Sequence, residues 1–81
     1  MARKKKNQIS VVVFNDATNS VHNVINSLHS IALMNIHQAT QCAMIIHNVG
    51  KYEICRGEYE EMYELADLLE ESGLIVKIRY I

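Results

Sequence analysis

Ile9-Ser10-Val11-Val12-Val13-Phe14-Asn15-Asp16 is the stretch on which the fold turns. Its first six residues are mostly apolar and β-branched, and a short run of that kind reads as a buried strand. Asn15-Asp16 ends it, because Asn and Asp bond their own backbone and open turns. A carboxylate and an amide therefore stand at one edge of a sheet. Everything downstream must supply the helices and strands that cover this run.

Working outward, residues 1–8 read as a flexible basic tail and residues 9–81 as a single domain. After the turn over Asn15 to Asn19, Val21, Val24, Ile25, Leu28 and Ala32 recur at helical spacing. This predicts a helix from about 20 to 32, capped by Asn19 or Ser20. A second helix is expected after Asn35, which with Gln38 has the spacing of a capping box. Its apolar face would carry Ile36, Ala39, Ala43 and Ile46, and Gly50 lies where a left-handed residue ends a helix. Lys51 to Arg56 reads as a strand, with Tyr52, Ile54 and Arg56 alternating against Lys51, Glu53 and Cys55. Gly57 reads as a turn. Glu58 to Ser72 is a helix with Tyr59, Met62, Leu65, Ala66 and Leu69 as its apolar stripe, Gly73 its stop, and Leu74 to Ile81 a last strand. The order β-α-α-β-α-β implies a two-layer α/β sandwich, because sheet and amphipathic helices must cover each other's apolar faces.

Composition narrows the function classes. With 81 residues there is room for one small core and little for a cleft between domains. The net charge of -1 argues against a general nucleic-acid surface, although Arg3, Lys4, Lys5 and Lys6 crowd the start and seven of the nine acids lie between 58 and 71. Cys42 and Cys55 sit in apolar stretches with no C-x-x-C, and read as reduced core thiols of a cytoplasmic protein. The four histidines (His22, His29, His37, His47) fit no zinc spacing, so neither metal nor cofactor is expected. No apolar run reaches the roughly 20 residues of a membrane span. An enzyme would need Ser20 or Cys42 as nucleophile beside Asp16 and His47, and nothing places either on a strained turn. If His47, closing the apolar stretch 39–46, meets Asp16, then amide, carboxylate and imidazole stand beside apolar side chains. That set suits a small ligand with a cationic end and an apolar end.

Asn15-Asp16, the helix from Val21 to Ala32, and Ala39-Thr40-Gln41-Cys42-Ala43-Met44-Ile45-Ile46-His47-Asn48-Val49-Gly50-Lys51 together resemble the bacterial Clp protease adaptor family, ClpS. Gly57-Glu58-Tyr59-Glu60-Glu61 and Gly73-Leu74 look like a shorter variant of that family's C-terminal half. The resemblance covers about residues 9 to 80. It implies an α+β fold, with a three-stranded antiparallel sheet carrying three helices, similar to the C-terminal domain of ribosomal L7/L12. It also implies an adaptor that performs no covalent chemistry. Such an adaptor binds substrates beginning with Phe, Tyr, Trp or Leu and delivers them to a Clp AAA+ ATPase, docking on that ATPase's N-terminal domain.

By the same resemblance, Asn15, Asp16 and His47 would hold the substrate's α-amino group. Asn19, Ser20, Val21, Val24, Ala43, Ile46 and Leu74 would form or border an apolar pocket for its first side chain. The chain departs from the family pattern at Ala17, where a second acid is usual, and at Ala43, where a larger Met is common and whose small size should widen the pocket. Its eight-residue tail, at ~3.3–3.6 Å per residue, reaches less than about 30 Å. An alternative implied role is a ClpS-like domain that docks on a Clp ATPase and modulates it without reading N-terminal residues.

Overall fold

The structure, a computed structural model, describes residues 8–81. Arg3 to Lys6 and the rest of the expected tail lie outside the described residues, except Gln8, which already belongs to the first strand. Six elements follow in the order β1 (Gln8–Phe14), α1 (Val21–Ser30), α2 (Ile36–Val49), β2 (Lys51–Glu58), α3 (Tyr59–Glu71) and β3 (Ile75–Tyr80). The strands form one antiparallel sheet in the order β2-β1-β3. The predicted α+β sandwich is therefore the observed one, and the apolar run 9–14 is its central strand.

Being central explains its composition. A middle strand is hydrogen-bonded along both edges, and here both of its faces are buried as well. Val11 and Val13 face the helices and join Val24, Leu28, Ala39, Cys42, Ala43, Ile46, Ala66, Leu69, Leu74 and Val76 in one core. Ser10 and Val12 point the other way, yet are only 1% and 2% exposed.

The helix ends obey their caps. Ser20 Oγ accepts from Asn23 N at 3.2 Å and starts α1. Asn35 Oδ1 accepts from Gln38 N at 2.8 Å and starts α2. Gly50 (φ 108°) and Gly73 (φ 105°) take left-handed backbone where α2 and α3 give way to strands. Side chains with a Cβ pay for that conformation and glycine does not.

Four expectations change. The apolar face of α2 is Ala39, Cys42, Ala43 and Ile46, whereas Ile36 in its first turn is exposed. Helix α1 stops at Ser30, short of Ala32, because Met34 N turns back to Leu28 O (3.2 Å) and Met34 joins the core. Gly57 is not a turn but a strand residue, paired with Ile9. A Cβ at Gly57 would come within 3.1 Å of Met62 Cε, so this glycine serves close packing against α3. Finally, β2 carries a bulge: Val11 pairs with Cys55 and Val12 with Glu53, leaving Ile54 as the extra residue. The bulge reverses the alternation, placing Tyr52 and Cys55 on the core side and Lys51, Glu53 and Arg56 on the open side.

The bend after α1 also holds Leu33 at φ 61° with 83% of its surface exposed. A left-handed L-residue costs roughly 1–2 kcal/mol, and here no burial offsets it. Leu33→Gly is expected to raise stability by up to about 1 kcal/mol after glycine's own entropy cost. The thermal midpoint should rise by a few degrees, about 4–8 °C per kcal/mol at this size. A lower midpoint would mean that the leucine side chain has a stabilising contact.

Candidate functional site

The loop between β1 and α1 is organised by Asp16. Its Oδ1 accepts from Thr18 N (2.7 Å) and Asn19 N (2.8 Å), and its Oδ2 accepts from Asn19 Nδ2 (3.0 Å). These are the local bonds that Asx side chains make in turns. They favour the ionised form: bonds from the Asn19 side chain, then from the Asn19 and Thr18 amides, hold the Asp16 carboxyl below its ordinary range against a smaller opposing effect of burial. A carboxylate has about four lone-pair sites. With three donors already in place, one acceptor position remains on Oδ2.

Asn19 uses the second hydrogen of the same amide nitrogen to reach Gly73 O at 2.7 Å. Both of its partners can only accept, which fixes the orientation of the amide group. One side chain thus ties the Asp16 loop to the turn that leads into β3. Ser27 Oγ donates to Ser72 Oγ at 3.1 Å nearby and joins α1 to the end of α3.

On its other side the loop is pinned to α2. Asn15 N donates to Gly50 O at 2.9 Å, Phe14 pairs with Lys51, and Lys51 Nζ lies 5.8 Å from the centre of the Phe14 ring. Gly50 is the C-cap of α2, and its own N–H bonds Ile46 O. His47 stands in that last helical turn, three residues before Gly50. Asn15 and His47 both have exposed side chains, and the backbone bond from Asn15 ends at Gly50, three residues beyond His47.

Val24 from α1, Ala43 and Ile46 from α2, and Leu74 at the entrance to β3 belong to one buried cluster, with Val21 half-buried against it. Ser20 caps α1 above them. Five of the residues expected to border an apolar pocket thus share one core, drawn from two helices and the turn before β3, while Asn19 and Ser20 lie in the loop that leads into α1. Expectation had passed over two backbone groups, the carbonyls of Gly50 and Gly73, which hold the loop from either side. A left-handed glycine after each helix was the available signal, but not the partner of its carbonyl.

The alternative chemistries find different surroundings. Cys42 is buried in the core, and burial pushes its thiol up. Burial and the Glu53 charge do the same for Cys55, whose Sγ lies 3.6 Å from Met62 Sδ. Ser20 Oγ is occupied as a helix cap. Among the described residues, no group of three or more His, Cys, Asp or Glu could hold a metal ion. No helix among them is long and apolar enough to cross a membrane.

The described residues thus form a three-stranded antiparallel sheet with three helices, and an Asn-Asp loop tied to Gly50 at the end of α2 and to Gly73 before β3. The structure of Agrobacterium tumefaciens ClpS2 bound to L-phenylalaninamide shares this fold, with a TM-score of 0.86 at 17% identity over 95% of this chain and 100% of that one. The family described as "ATP-dependent Clp protease adaptor protein ClpS" matches residues 4–77, and the chain belongs to it. No curated protein matches the chain.

Proposed function

We propose that this protein is an N-degron adaptor, which binds the free α-amino group and bulky first side chain of a substrate and hands that substrate to a Clp AAA+ ATPase, with no covalent chemistry of its own. The observation that carries the reading is the preorganised Asp16, held toward its ionised form, fixed by three donors and left with one acceptor position on Oδ2. A substrate ammonium needs a negative acceptor, and a fixed carboxylate costs little reorganisation when it binds.

In this reading Asn15 and His47 complete the acceptor set, the first through its amide oxygen and the second through a neutral ring nitrogen. Val21, Val24, Ala43, Ile46 and Leu74 receive the side chain, with Asn19 and Ser20 at the mouth. Fully burying a large apolar side chain contributes about 1.5–3 kcal/mol. Phe, Tyr, Trp and Leu are the first residues that such a pocket takes. L-phenylalaninamide, held by the Agrobacterium protein of the same fold, has this chemistry in miniature: a free amino group, a benzyl side chain and an amide. The ATPase partner would dock through its N-terminal domain, and the adaptor would work in the cytoplasm.

The test compares a peptide beginning with Phe in its free and N-acetylated forms. Acetylation removes the charge and two donors, and with them the charge-assisted bonds to these acceptors. The free peptide is expected to bind and the acetylated one to lose at least about tenfold in affinity. Equal binding, or none by either, would favour a domain that docks on the ATPase without reading N-termini. Ala17, where the family usually has a second acid, is the observation behind that second reading.

A further inference from the structure

The open side of the sheet, away from the helices, gathers every lysine and arginine of the folded domain. Cross-strand partners share a face, so the register defines it: Ser10 lies between Arg56 and Arg79, Val12 between Glu53 and Lys77, and Phe14 between Lys51 and Ile75. Ser10 and Val12 are buried on this face, between these flanking residues. The other four basic residues of the chain, Arg3 to Lys6, precede Gln8 of the same central strand by two to five residues.

These cations are not neutralised from within. Among the described residues the one ion pair is Arg56 with Glu53. Glu58 lies at the corner of the face, opposite Gln8. The exposed acids Glu60, Glu61, Glu64, Asp67, Glu70 and Glu71 belong to α3, in the helical layer on the opposite side. Lys51, Lys77 and Arg79 are exposed and unpaired.

We propose that this face is a second binding surface, which takes an acidic polypeptide segment in extended conformation. Side chains on one side of an extended chain repeat every ~6.6–6.8 Å, which is also the repeat of Lys77 and Arg79 along β3. Arg56 and Arg79, on the two strands beside β1, stand about 9.5 Å apart across the face by strand spacing. Nucleic acid fits less well. The one aromatic ring on this face, Phe14, is covered by Lys51, so no stacking platform is offered. The acidic α3 also opposes a long polyanion. This surface is separate from the Asp16 loop and does not depend on the N-terminal reading.

The experiment is a fluorescence anisotropy titration of the whole chain with a short Glu-rich peptide. The peptide is labelled at its C-terminus and acetylated at its N-terminus, which keeps it out of the ammonium site. In about 50 mM salt, where exposed charges are weakly screened, binding is expected and should weaken as salt rises. Lys77→Glu with Arg79→Glu should reduce affinity at least about tenfold, while a free N-terminal Phe peptide binds as before. Lys77→Gln with Arg79→Gln should give a smaller loss in the same direction, and keeps the test available if the reversed pair melts early. Unchanged affinity in both double variants would overturn the proposal. So would loss of the acidic peptide on Asp16→Ala, tighter binding of an oligothymidine of equal charge, or self-association that the same variants abolish.

Discussion

Replacing Asp16 by Ala is expected to lower the affinity for a peptide with a free N-terminal Phe by at least about a hundredfold. Two losses combine. The ammonium loses its only fixed anionic partner, and with it the charge-assisted bond to the carboxylate. The amides of Thr18 and Asn19 and the Asn19 side chain also lose their shared acceptor, so the loop over the apolar cluster loosens. Calorimetric titration measures the change directly, and an unchanged affinity would remove the basis of the ammonium clamp.

Asn19→Ala separates the two contributions. It keeps the carboxylate but cuts the ties to Asp16 and Gly73, two hydrogen bonds of about 0.5–1.5 kcal/mol each. A loss of several-fold to tenfold is expected, clearly smaller than that for Asp16→Ala. The pH response has a definite sign. Because the folded carboxyl lies below its ordinary range, the charge it offers is fully present above that range. Its contribution is lost only as pH falls through the depressed value. In Asn19→Ala the largest stabilising bond is gone, so this loss should set in at higher pH than in the parent chain.

Much of this was visible in the chain because the relevant physics is local. The run 9–14 announces a strand buried on both faces, and Ser20, Asn35, Gly50 and Gly73 mark helix ends through bonds to residues three or four positions away. What was hidden depended on distant partners. The bulge at Ile54 exists only in relation to Val11 and Val12, and alternation alone cannot say where the phase slips. Gly57 looked like a turn because its reason, the closeness of Met62, is a packing fact. Leu33 gives no sign of positive φ, since leucine is chosen there against its own preference. At the site, Asp16 was legible as a turn carboxylate, but the bond from Asn19 to Gly73 spans 54 positions and no spacing rule reaches it. The roles given to Asn15 and His47 rest on family resemblance, to which the structure adds the link from Asn15 to the end of their shared neighbour α2.

Leu69→Ala is expected to have the largest effect on stability, about 2–5 kcal/mol. Leu69 is fully buried on α3, and its truncation leaves a cavity where the helix meets the rest of the core. Its carbonyl also accepts from Leu74 N (3.2 Å) and from Ser72 Oγ (2.7 Å), so the same residue sits at the turn that presents Gly73 O to Asn19. Small domains hold only about 5–15 kcal/mol in total. The thermal midpoint should therefore fall by about 8–40 °C. A loss under about 1 kcal/mol in urea would mean that α3 does not pack on the core as described. Ligand linkage then joins core and site in one measurement. A free N-terminal Phe peptide at about 100 times its Kd should restore roughly 2.7 kcal/mol to Leu69→Ala, because it binds the folded chain alone. The same peptide should restore almost nothing to the Leu69→Ala, Asp16→Ala double variant. Equal rescue of both would show that the peptide stabilises the fold from somewhere other than the Asp16 loop.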